Sequence, residues 1–169
     1  MKALIVFDTR HGTSQEVAGR IATSIKAIGG EAELLDLRKR GAASASLAGY
    51  DAVALGGPFY MGSWSKRARG FAATREAELG NKAFGIFAIG SNAELGDKAA
   101  VAALPPSLAY AVTASAYLGG RIVIDKLGRF ERFIVKMVDG KAESSSTLDF
   151  APLESFAAKL AKSAKGGAI

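Results

Sequence analysis

Short apolar runs alternate along the chain with segments whose apolar residues recur every three or four positions. Residues 3–7 are apolar throughout, which predicts a strand buried on both faces. From Ser14 to Ile28 the apolar residues follow helical spacing, and Gly29-Gly30 ends that pattern. The same alternation predicts further strands at 32–37, 52–56, 82–89 and 114–124, and further helices at 65–78, 98–104 and 152–164.

Strands that alternate with helices form a parallel sheet covered by helices on both faces. The sequence therefore predicts an α/β fold, a three-layer sandwich with a five-stranded parallel sheet. Because no repeat or linker divides the 169 residues, we expect one domain over 1–169. Ligands of such sheets bind outside the carboxyl ends of the strands. The candidate binding loops are therefore 8–14, 57–64 and 90–97.

The amino-acid composition excludes several kinds of catalytic and metal site and indicates a class of partner. The absence of cysteine excludes disulfides, a thiol nucleophile and thiolate metal sites, and the single His11 excludes a multi-histidine centre, so no metal is expected. The sequence has neither an apolar run of about 20 residues nor a signal peptide, so we expect a cytoplasmic protein. The net charge of +6 indicates an anionic partner, such as a phosphate ligand, an acidic protein, nucleic acid or a membrane surface.

The first loop, within the stretch DTRHGTSQE, follows the first strand and opens the first helix. Its hydroxyl groups, its backbone N–H groups and the positive helix end would together bind an anion, and one arginine and one histidine add positive charge. The alternative is that Thr13 or Ser14 only caps the helix. The loop has neither the G-x-x-x-x-G-K-[ST] motif nor the three glycines of G-x-G-x-x-G. The candidate residues are Thr9, Arg10, His11, Gly12, Thr13 and Ser14.

The second loop, within GGPFYMGSWS, is unusually apolar for a loop. Gly56 and Gly57 would let the backbone approach a flat ligand closely. Four apolar or aromatic side chains at the expected crevice favour a planar ligand. These residues are Phe59, Tyr60, Met61 and Trp64. The alternative for each of them, taken singly, is ordinary core packing under the neighbouring helix.

These loops resemble those of the flavodoxin family, and the resemblance extends over essentially the whole chain. Residues 9–14 are similar to the loop that holds the FMN phosphate in that family. Met61-Gly62 is similar to the second loop of some flavodoxins, where an apolar side chain lies on the flavin and the glycine carbonyl turns toward N5. The resemblance implies FMN as the cofactor, bound by Thr9, Arg10, His11, Gly12, Thr13, Ser14, Pro58, Phe59, Tyr60, Met61, Gly62, Gly90, Ser91 and Asn92.

Within that family the chain is most similar to the menaquinone-dependent protoporphyrinogen oxidases and their relatives. FDTRHGTSQEVAGRIA resembles the opening of that group, and RFERFIVKMVDGKAESSSTLDF resembles its insertion, here at about 125–149. The second loop differs, because the oxidases have a more polar, arginine-containing stretch there, and the third loop has no aromatic residue.

The resemblance implies an FMN-dependent oxidoreductase with a quinone or another redox partner. A non-enzymatic electron carrier and a flavin-free partner-binding module are the alternatives. No catalytic side chain is assigned, because the flavin would carry the chemistry. Carrier flavodoxins are typically acidic, whereas this chain is basic, which favours an enzyme or a protein working near an anionic membrane.

Residues 126–141 have the pattern of a basic amphipathic helix. Their apolar residues recur at helical spacing and are Phe130, Phe133, Ile134, Met137 and Val138, beside the basic residues Arg129, Arg132 and Lys136. Such a helix is typical of a membrane-surface or partner-binding element, so we expect peripheral attachment at the inner face of the membrane. The alternative is a helix that packs its apolar side on its own domain. No nucleic acid partner is expected.

Overall fold

Strands and helices alternate along the part of the chain that the computed structural model describes, which is residues 1–90, 92, 96–122 and 145–166. The strands are β1 (Lys2–Phe7), β2 (Glu31–Asp36), β3 (Ala52–Tyr60), β4 (Ser63–Trp64), β5 (Ala83–Ile89), β6 (Val112–Tyr117), β7 (Arg121–Ile122) and β8 (Ser145–Ser146). The helices are α1 (Thr13–Ala27), a 3₁₀ turn (Ala42–Ser44), α2 (Lys66–Thr74), α3 (Glu76–Gly80), α4 (Gly96–Ala102), α5 (Pro106–Ala111) and α6 (Pro152–Gly166).

The central sheet has the strand order β2-β1-β3-β5-β6, and every neighbouring pair in it is parallel. This confirms the predicted five-stranded parallel sheet with helices on both faces. The short β4 pairs antiparallel with the end of β3 and forms a hairpin. The chain leaves β1 toward β2 on one side and crosses back to β3 on the other. The carboxyl ends of β1 and β3 therefore form the switch point at which such sheets bind ligands.

The sheet is buried on both faces, which explains the uninterrupted apolar run of β1. Ile5 and Phe7 pack on the face covered by α1 and α6, while Leu4 and Val6 pack on the opposite face. Large side chains that complete the first face are Val17, Ile21, Ile25, Phe156 and Leu160. Those that complete the second face are Phe71, Leu79, Phe84, Leu104 and Leu108. The binding edge thus rests on strands held rigidly from both sides.

Strand β3 is longer than the sequence predicted, because it continues through Gly57 and Pro58 to Tyr60. Gly57 and Pro58 pair with Ala88 and Ile89 of β5, so strand pairing overrides their turn-forming tendency. The missing N–H of Pro58 breaks no bond to β1, which ends opposite Gly56. The Pro58 carbonyl accepts instead from the Ser65 N–H at 3.1 Å.

Two other predicted elements differ markedly in their bounds, and one helix was not predicted. The helix expected at 65–78 is two helices that meet at Arg75. Helix α5, which begins after Pro105, was not predicted at all, because Pro105-Pro106 resembles a loop signal. The strand expected at 114–124 begins at Val112 and ends at Tyr117. These differences leave the positions of the three candidate loops unchanged.

The described residues on either side of 123–144 form a two-stranded ribbon. Arg121 of β7 pairs with Ser146 of β8, and the Arg121 guanidinium donates to the Glu16 carboxylate of α1 at 2.7 Å. The predicted basic helix at 126–141 lies outside the described residues. Within the described ranges, no helix combines the length and the apolar character that crossing a membrane requires.

Candidate functional site

The residue directly before helix α1 is a glycine, which has no side chain that could cap the helix. Gly12 has φ 92°, a left-handed conformation that glycine adopts without strain, and no side chain of the described residues caps the helix. The first helical hydrogen bond runs from the Glu16 N–H to the Gly12 carbonyl at 3.0 Å. The N–H groups of residues 13–15 therefore have no helical acceptor and point out of the helix start.

This arrangement decides against the simple capping interpretation of the first loop. Thr13 and Ser14 lie inside the first turn of α1, so neither occupies the capping position. Thr9 instead shapes the turn, because its Oγ1 accepts from the Gly12 N–H at 3.0 Å. Free N–H donors at the positive end of a helix are the usual protein site for a phosphate or another anion.

Basic side chains surround this helix start. Arg10 and His11 belong to the loop itself, and Arg10 is exposed. Arg38 reaches across from the end of β2 and donates to the Thr9 carbonyl at 3.1 Å. Arg38 was not among the residues predicted from the sequence. The signal was the basic run Arg38-Lys39-Arg40 directly after the second strand, at the same edge of the sheet.

The two glycines of the second loop serve internal packing, which corrects the expectation that they admit a ligand. A Cβ on Gly56 would collide with the ring of Phe87, and one on Gly57 would lie 3.1 Å from the Asp8 carbonyl oxygen. The Asp8 N–H also donates to the Gly56 carbonyl at 3.1 Å. These contacts bring the first and second loops together at the switch point.

The tip of the β3–β4 hairpin is exposed and conformationally strained. Met61 and Gly62 form the two-residue turn with φ 52° and 74°, the signs of a type I′ turn. Met61 is the one non-glycine residue with positive φ in the described ranges, and it is 99% exposed. A left-handed conformation costs a residue with a side chain roughly 1–2 kcal/mol. Strain of this kind, held at an exposed apolar tip, is typical of functional sites.

The expected aromatic surface divides into a buried and an exposed half. Phe59 is completely buried and Trp64 is 4% exposed, so both side chains belong to the core. The prediction that the Phe59 side chain lines the ligand crevice is therefore wrong, because strand alternation directs it inward. Tyr60, the next residue, is 54% exposed beside Met61. Only these last two side chains remain available to a planar ligand.

The third loop is tied to the second through Gly90. A Cβ on Gly90 would collide with the Phe59 carbonyl oxygen, and it would lie 2.5 Å from the Tyr117 hydroxyl. That hydroxyl donates to the Asn92 carbonyl at 2.8 Å. Tyr117, at the end of β6, was not among the predicted residues, although an aromatic residue at a strand end was the available signal. Ser91 lies outside the described residues.

Both tyrosines near this loop remain neutral phenols at physiological pH. Partial desolvation by neighbouring residues raises the pKa of Tyr60 above its ordinary value of 10.0, although the side chain is half exposed. Burial also raises the pKa of Tyr117, and the neighbouring Tyr60 raises it further. Tyr117 therefore keeps the proton that it donates to the third loop at physiological pH.

The structure thus places the described candidate residues at one edge of the sheet, on the first loop, on the β3–β4 hairpin and at the start of the third loop. Their role in binding a cofactor remains a prediction. Within the described part of the chain, no group of three or more histidine, cysteine or acidic side chains could hold a metal ion.

Counted along the chain without the hairpin strand β4, the five parallel strands have the order 2-1-3-4-5. This doubly wound order, with a loop rich in hydrogen-bond donors at the switch point, is typical of a class of nucleotide-binding domains. The sequence profile of the flavodoxin domain matches residues 4–149, so the chain belongs to the flavodoxin family. Flavodoxin domains bind FMN, and the predicted cofactor is confirmed at the level of the family. No curated protein matches the chain.

Solved flavodoxin-like structures superpose on nearly the whole chain. A short-chain flavodoxin associated with a non-canonical PDU bacterial microcompartment has a TM-score of 0.61 and 17% identity, over 97% of this chain and 99% of its own. A flavodoxin of Streptococcus pneumonia TIGR4 has a TM-score of 0.55 and 16% identity, with coverages of 96% and 99%.

A larger enzyme contains a similar domain. The rubredoxin oxygen:oxidoreductase of Desulfovibrio gigas has a TM-score of 0.63 and 15% identity, over 98% of this chain. The chain spans only 36% of that protein's length. At such identities these structures support the fold alone.

Proposed function

We propose that the protein is an FMN-dependent oxidoreductase that passes electrons between an organic substrate and a quinone-like acceptor. The observation that carries this proposal is the uncapped start of α1 at the switch point. Three backbone N–H groups there lack a helical acceptor, and the turn that presents them is held by Thr9 and Arg38. A phosphate dianion fits this donor set, because it accepts several hydrogen bonds and meets the positive helix end.

The hairpin tip suits the flat ring of the same cofactor. Tyr60 and Met61 present exposed side chains, and Gly62 has open space around its Cβ position. A glycine lets the peptide at this turn reorient when a proton or a charge changes beside it. When FMN is bound, its ring supplies the electron-transfer chemistry, while the protein supplies binding, orientation and electrostatics.

The finer proposal is a porphyrinogen oxidase-like activity with a quinone as acceptor. It is supported by the resemblance of residues 7–22 and 129–150 to menaquinone-dependent protoporphyrinogen oxidases. The net charge of +6 also supports an enzyme near an anionic membrane, where quinones are dissolved. Residues 126–141 are the proposed membrane contact.

The second candidate is a non-enzymatic electron carrier. It is favoured by one observation, the match over nearly full length in both directions to a short-chain flavodoxin. A carrier and an oxidase would bind FMN at the same loops. They differ in whether the reduced organic substrate reacts directly with the bound flavin.

The first experiment is a visible absorption spectrum of the purified protein, followed by titration of the flavin-free protein with FMN and with riboflavin. The spectrum of bound oxidised flavin is expected. FMN should bind at least about tenfold more tightly than riboflavin, because only FMN uses the charge-assisted bonds at α1. Failure to bind FMN would leave a partner-binding module and overturn the proposal.

The second experiment separates the oxidase from the carrier. The FMN-loaded protein is mixed with protoporphyrinogen and a menaquinone, and porphyrin formation is followed by fluorescence. Turnover above that of free FMN supports the oxidase. Reduction by a flavodoxin reductase without porphyrinogen turnover supports the carrier. The matched control is the Thr13→Ala/Ser14→Ala double variant, which should lose cofactor and activity together.

A further inference from the structure

Asp8 is a buried acidic residue whose carboxylate no other described residue satisfies. It is 7% exposed, and it lies at the carboxyl end of β1 directly before the first loop. Its backbone N–H donates to the Gly56 carbonyl, but its side chain makes no hydrogen bond or ion pair within the described ranges. A carboxylate that makes no bond to the surrounding protein at a mostly buried position calls for a functional explanation.

The carboxylate oxygens of Asp8 are reached by solvent. No side-chain nitrogen or oxygen in the described part of the protein is both fully inaccessible and without a partner. The Asp8 oxygens have no partner among the described residues, so the small accessible surface of this residue must include them. They therefore lie at the solvent-reached edge of the sheet and are not sealed in the core.

Asp8 lies between the two halves of the proposed cofactor site, which are the start of α1 and the tip of the β3–β4 hairpin. On one side, residues 9–12 lead to the uncapped start of α1. On the other side, its backbone and Cβ lie 3.1–3.5 Å from the Cβ position of Gly57, and β3 continues from there to the exposed hairpin tip at Met61. A ligand that joins an anion at α1 to a ring at the hairpin would cross the ends of β1 and β3, where Asp8 lies.

We propose that Asp8 accepts a hydrogen bond from a hydroxyl of the polyol chain that links the phosphate and the ring of the flavin. The inference rests on the proposed function and extends it to a recognition residue for the middle of the ligand. A carboxylate is purely an acceptor and a hydroxyl is a donor, so the pair satisfies the buried group. A phosphate beside Asp8 would instead meet like charge, which assigns the carboxylate to the uncharged linker.

The test compares three flavins on the wild type and on Asp8→Ala. FMN has the ring, the polyol and the phosphate, riboflavin lacks the phosphate, and lumiflavin lacks the polyol and the phosphate. Asp8→Ala should weaken FMN and riboflavin by a similar factor of about ten or more, as expected for a bond to a charged acceptor. Lumiflavin affinity should stay unchanged. Asp8→Asn, whose amide oxygen still accepts, should lose less.

Controls separate binding from folding. Because the Asp8 side chain has no partner among the residues that the structure describes, Asp8→Ala should unfold at the same temperature as the flavin-free wild type or at a higher one. Glu154→Ala removes the same charge at an exposed site on α6 and should bind all three flavins normally.

Two results would overturn the inference. One is equal affinity of wild type and Asp8→Ala for riboflavin. The other is tighter binding of FMN alone, which would place the carboxylate at the phosphate. Failure of the wild type to bind FMN would instead overturn the proposed function itself, and the inference with it.

Discussion

The indole of Trp64 meets the ring of Phe59 edge-on across the hairpin, with centroids 5.2 Å apart and planes at 63°. The Trp64 Nε1–H donates to the Ala100 carbonyl of α4 at 2.9 Å. The pair therefore anchors the hairpin to the helix layer. Its exposed neighbours, Tyr60 and Met61, are held in place from beneath by this buried contact.

Replacing Trp64 should destabilise the fold. Trp64→Phe keeps an aromatic ring but leaves the Ala100 carbonyl unpaired, at a cost of about 1–3 kcal/mol. Trp64→Ala also leaves a cavity and should cost about 3–5 kcal/mol. Urea unfolding measures both. Tyr110→Ala, at a position 92% exposed, is the control and should change the stability by less than about 0.5 kcal/mol. Equal stabilities of Trp64→Ala and the control would show that the indole is not a core group.

The double variant Thr13→Ala/Ser14→Ala tests the first loop. Neither side chain caps α1, so the free energy of unfolding should change by less than about 1 kcal/mol. FMN affinity should fall at least about tenfold, because each hydroxyl bond to a charged phosphate is worth about 1.5–3 kcal/mol. Riboflavin affinity, measured by the same fluorescence titration, should not change. An unchanged FMN affinity would remove the phosphate from this loop.

Met61→Asn should stabilise the protein without its cofactor. Asparagine tolerates positive φ far better than methionine, and Asn-Gly is the preferred type I′ sequence, so the gain should be about 0.5–1 kcal/mol. The same change removes the apolar side chain proposed to cover the ring, so FMN should bind more weakly. Thermal unfolding and FMN titration measure the two effects. A variant that binds FMN as well as the wild type would leave the strained Met61 without a role in the site.

Gly62→Val tests the turn on its other side. Nothing lies within 4 Å of the Cβ position, so the cost comes from φ 74° alone and should be about 1–2 kcal/mol. The stiffened peptide should shift the midpoint potentials of bound FMN, while Thr13 and Ser14 still hold the phosphate. A redox titration gives the potentials. Potentials identical to those of the wild type would assign the N5 contact to another loop.

Glu16 should make the stability depend on pH below its ordinary pKa of 4.5. The hydrogen bond from Arg121 lowers the pKa of Glu16 in the folded protein, and the bond from Arg20 lowers it further. Its stabilising contribution is therefore complete above pH 4.5 and is lost as the pH falls through the lower folded value. Because the side chain is 34% exposed, that contribution should be about 1 kcal/mol or less.

Glu16→Gln isolates this contribution. The variant should be less stable than the wild type at pH 7, and the difference should shrink as the pH is lowered below 4.5. Chemical unfolding at a series of pH values measures it. A difference that stays constant with pH would show that charge at Glu16 is not involved.

Vesicle co-sedimentation tests the proposed membrane contact at residues 126–141. Each basic residue near an anionic surface is worth about 1 kcal/mol, so binding should be weak and salt-sensitive. Replacing Arg129, Arg132 and Lys136 by glutamate should abolish it. The same substitutions at the exposed residues Lys159, Lys162 and Lys165 of α6 serve as a charge-matched control. Absence of binding to anionic vesicles at low salt would leave the segment as ordinary structure.

The sequence predicted those elements whose burial is visible in their own residues. The run 3–7 and the periodic stretch 14–28 are buried on defined faces, so their apolar patterns were sufficient. At Gly57-Pro58 the sequence predicted a loop, but the chain continues as a strand. That continuation depends on pairing with β5, which no local pattern reveals.

The same limit applies within the candidate site. Phe59 and Tyr60 are adjacent aromatic residues, and only the pairing of Phe59 with Trp64 in the hairpin decides which of them points inward. That Asp8 finds no side-chain partner in the described part of the chain is likewise a tertiary fact, because every aspartate looks the same in a sequence. Short sequence motifs therefore predicted where the candidate site lies, whereas tertiary packing determines which side chains face it.

The pairing of β7 with β8 brings the residues that flank 123–144 side by side. Ile122 stands opposite Ser145 in an antiparallel ribbon, the geometry that a two-residue turn closes. Replacing residues 123–144 by Asn-Gly should therefore yield a minimal domain that keeps the contact between Arg121 and Glu16. In the reverse direction, the ribbon is a graft point at which a foreign targeting segment could direct the same flavin domain to a different surface.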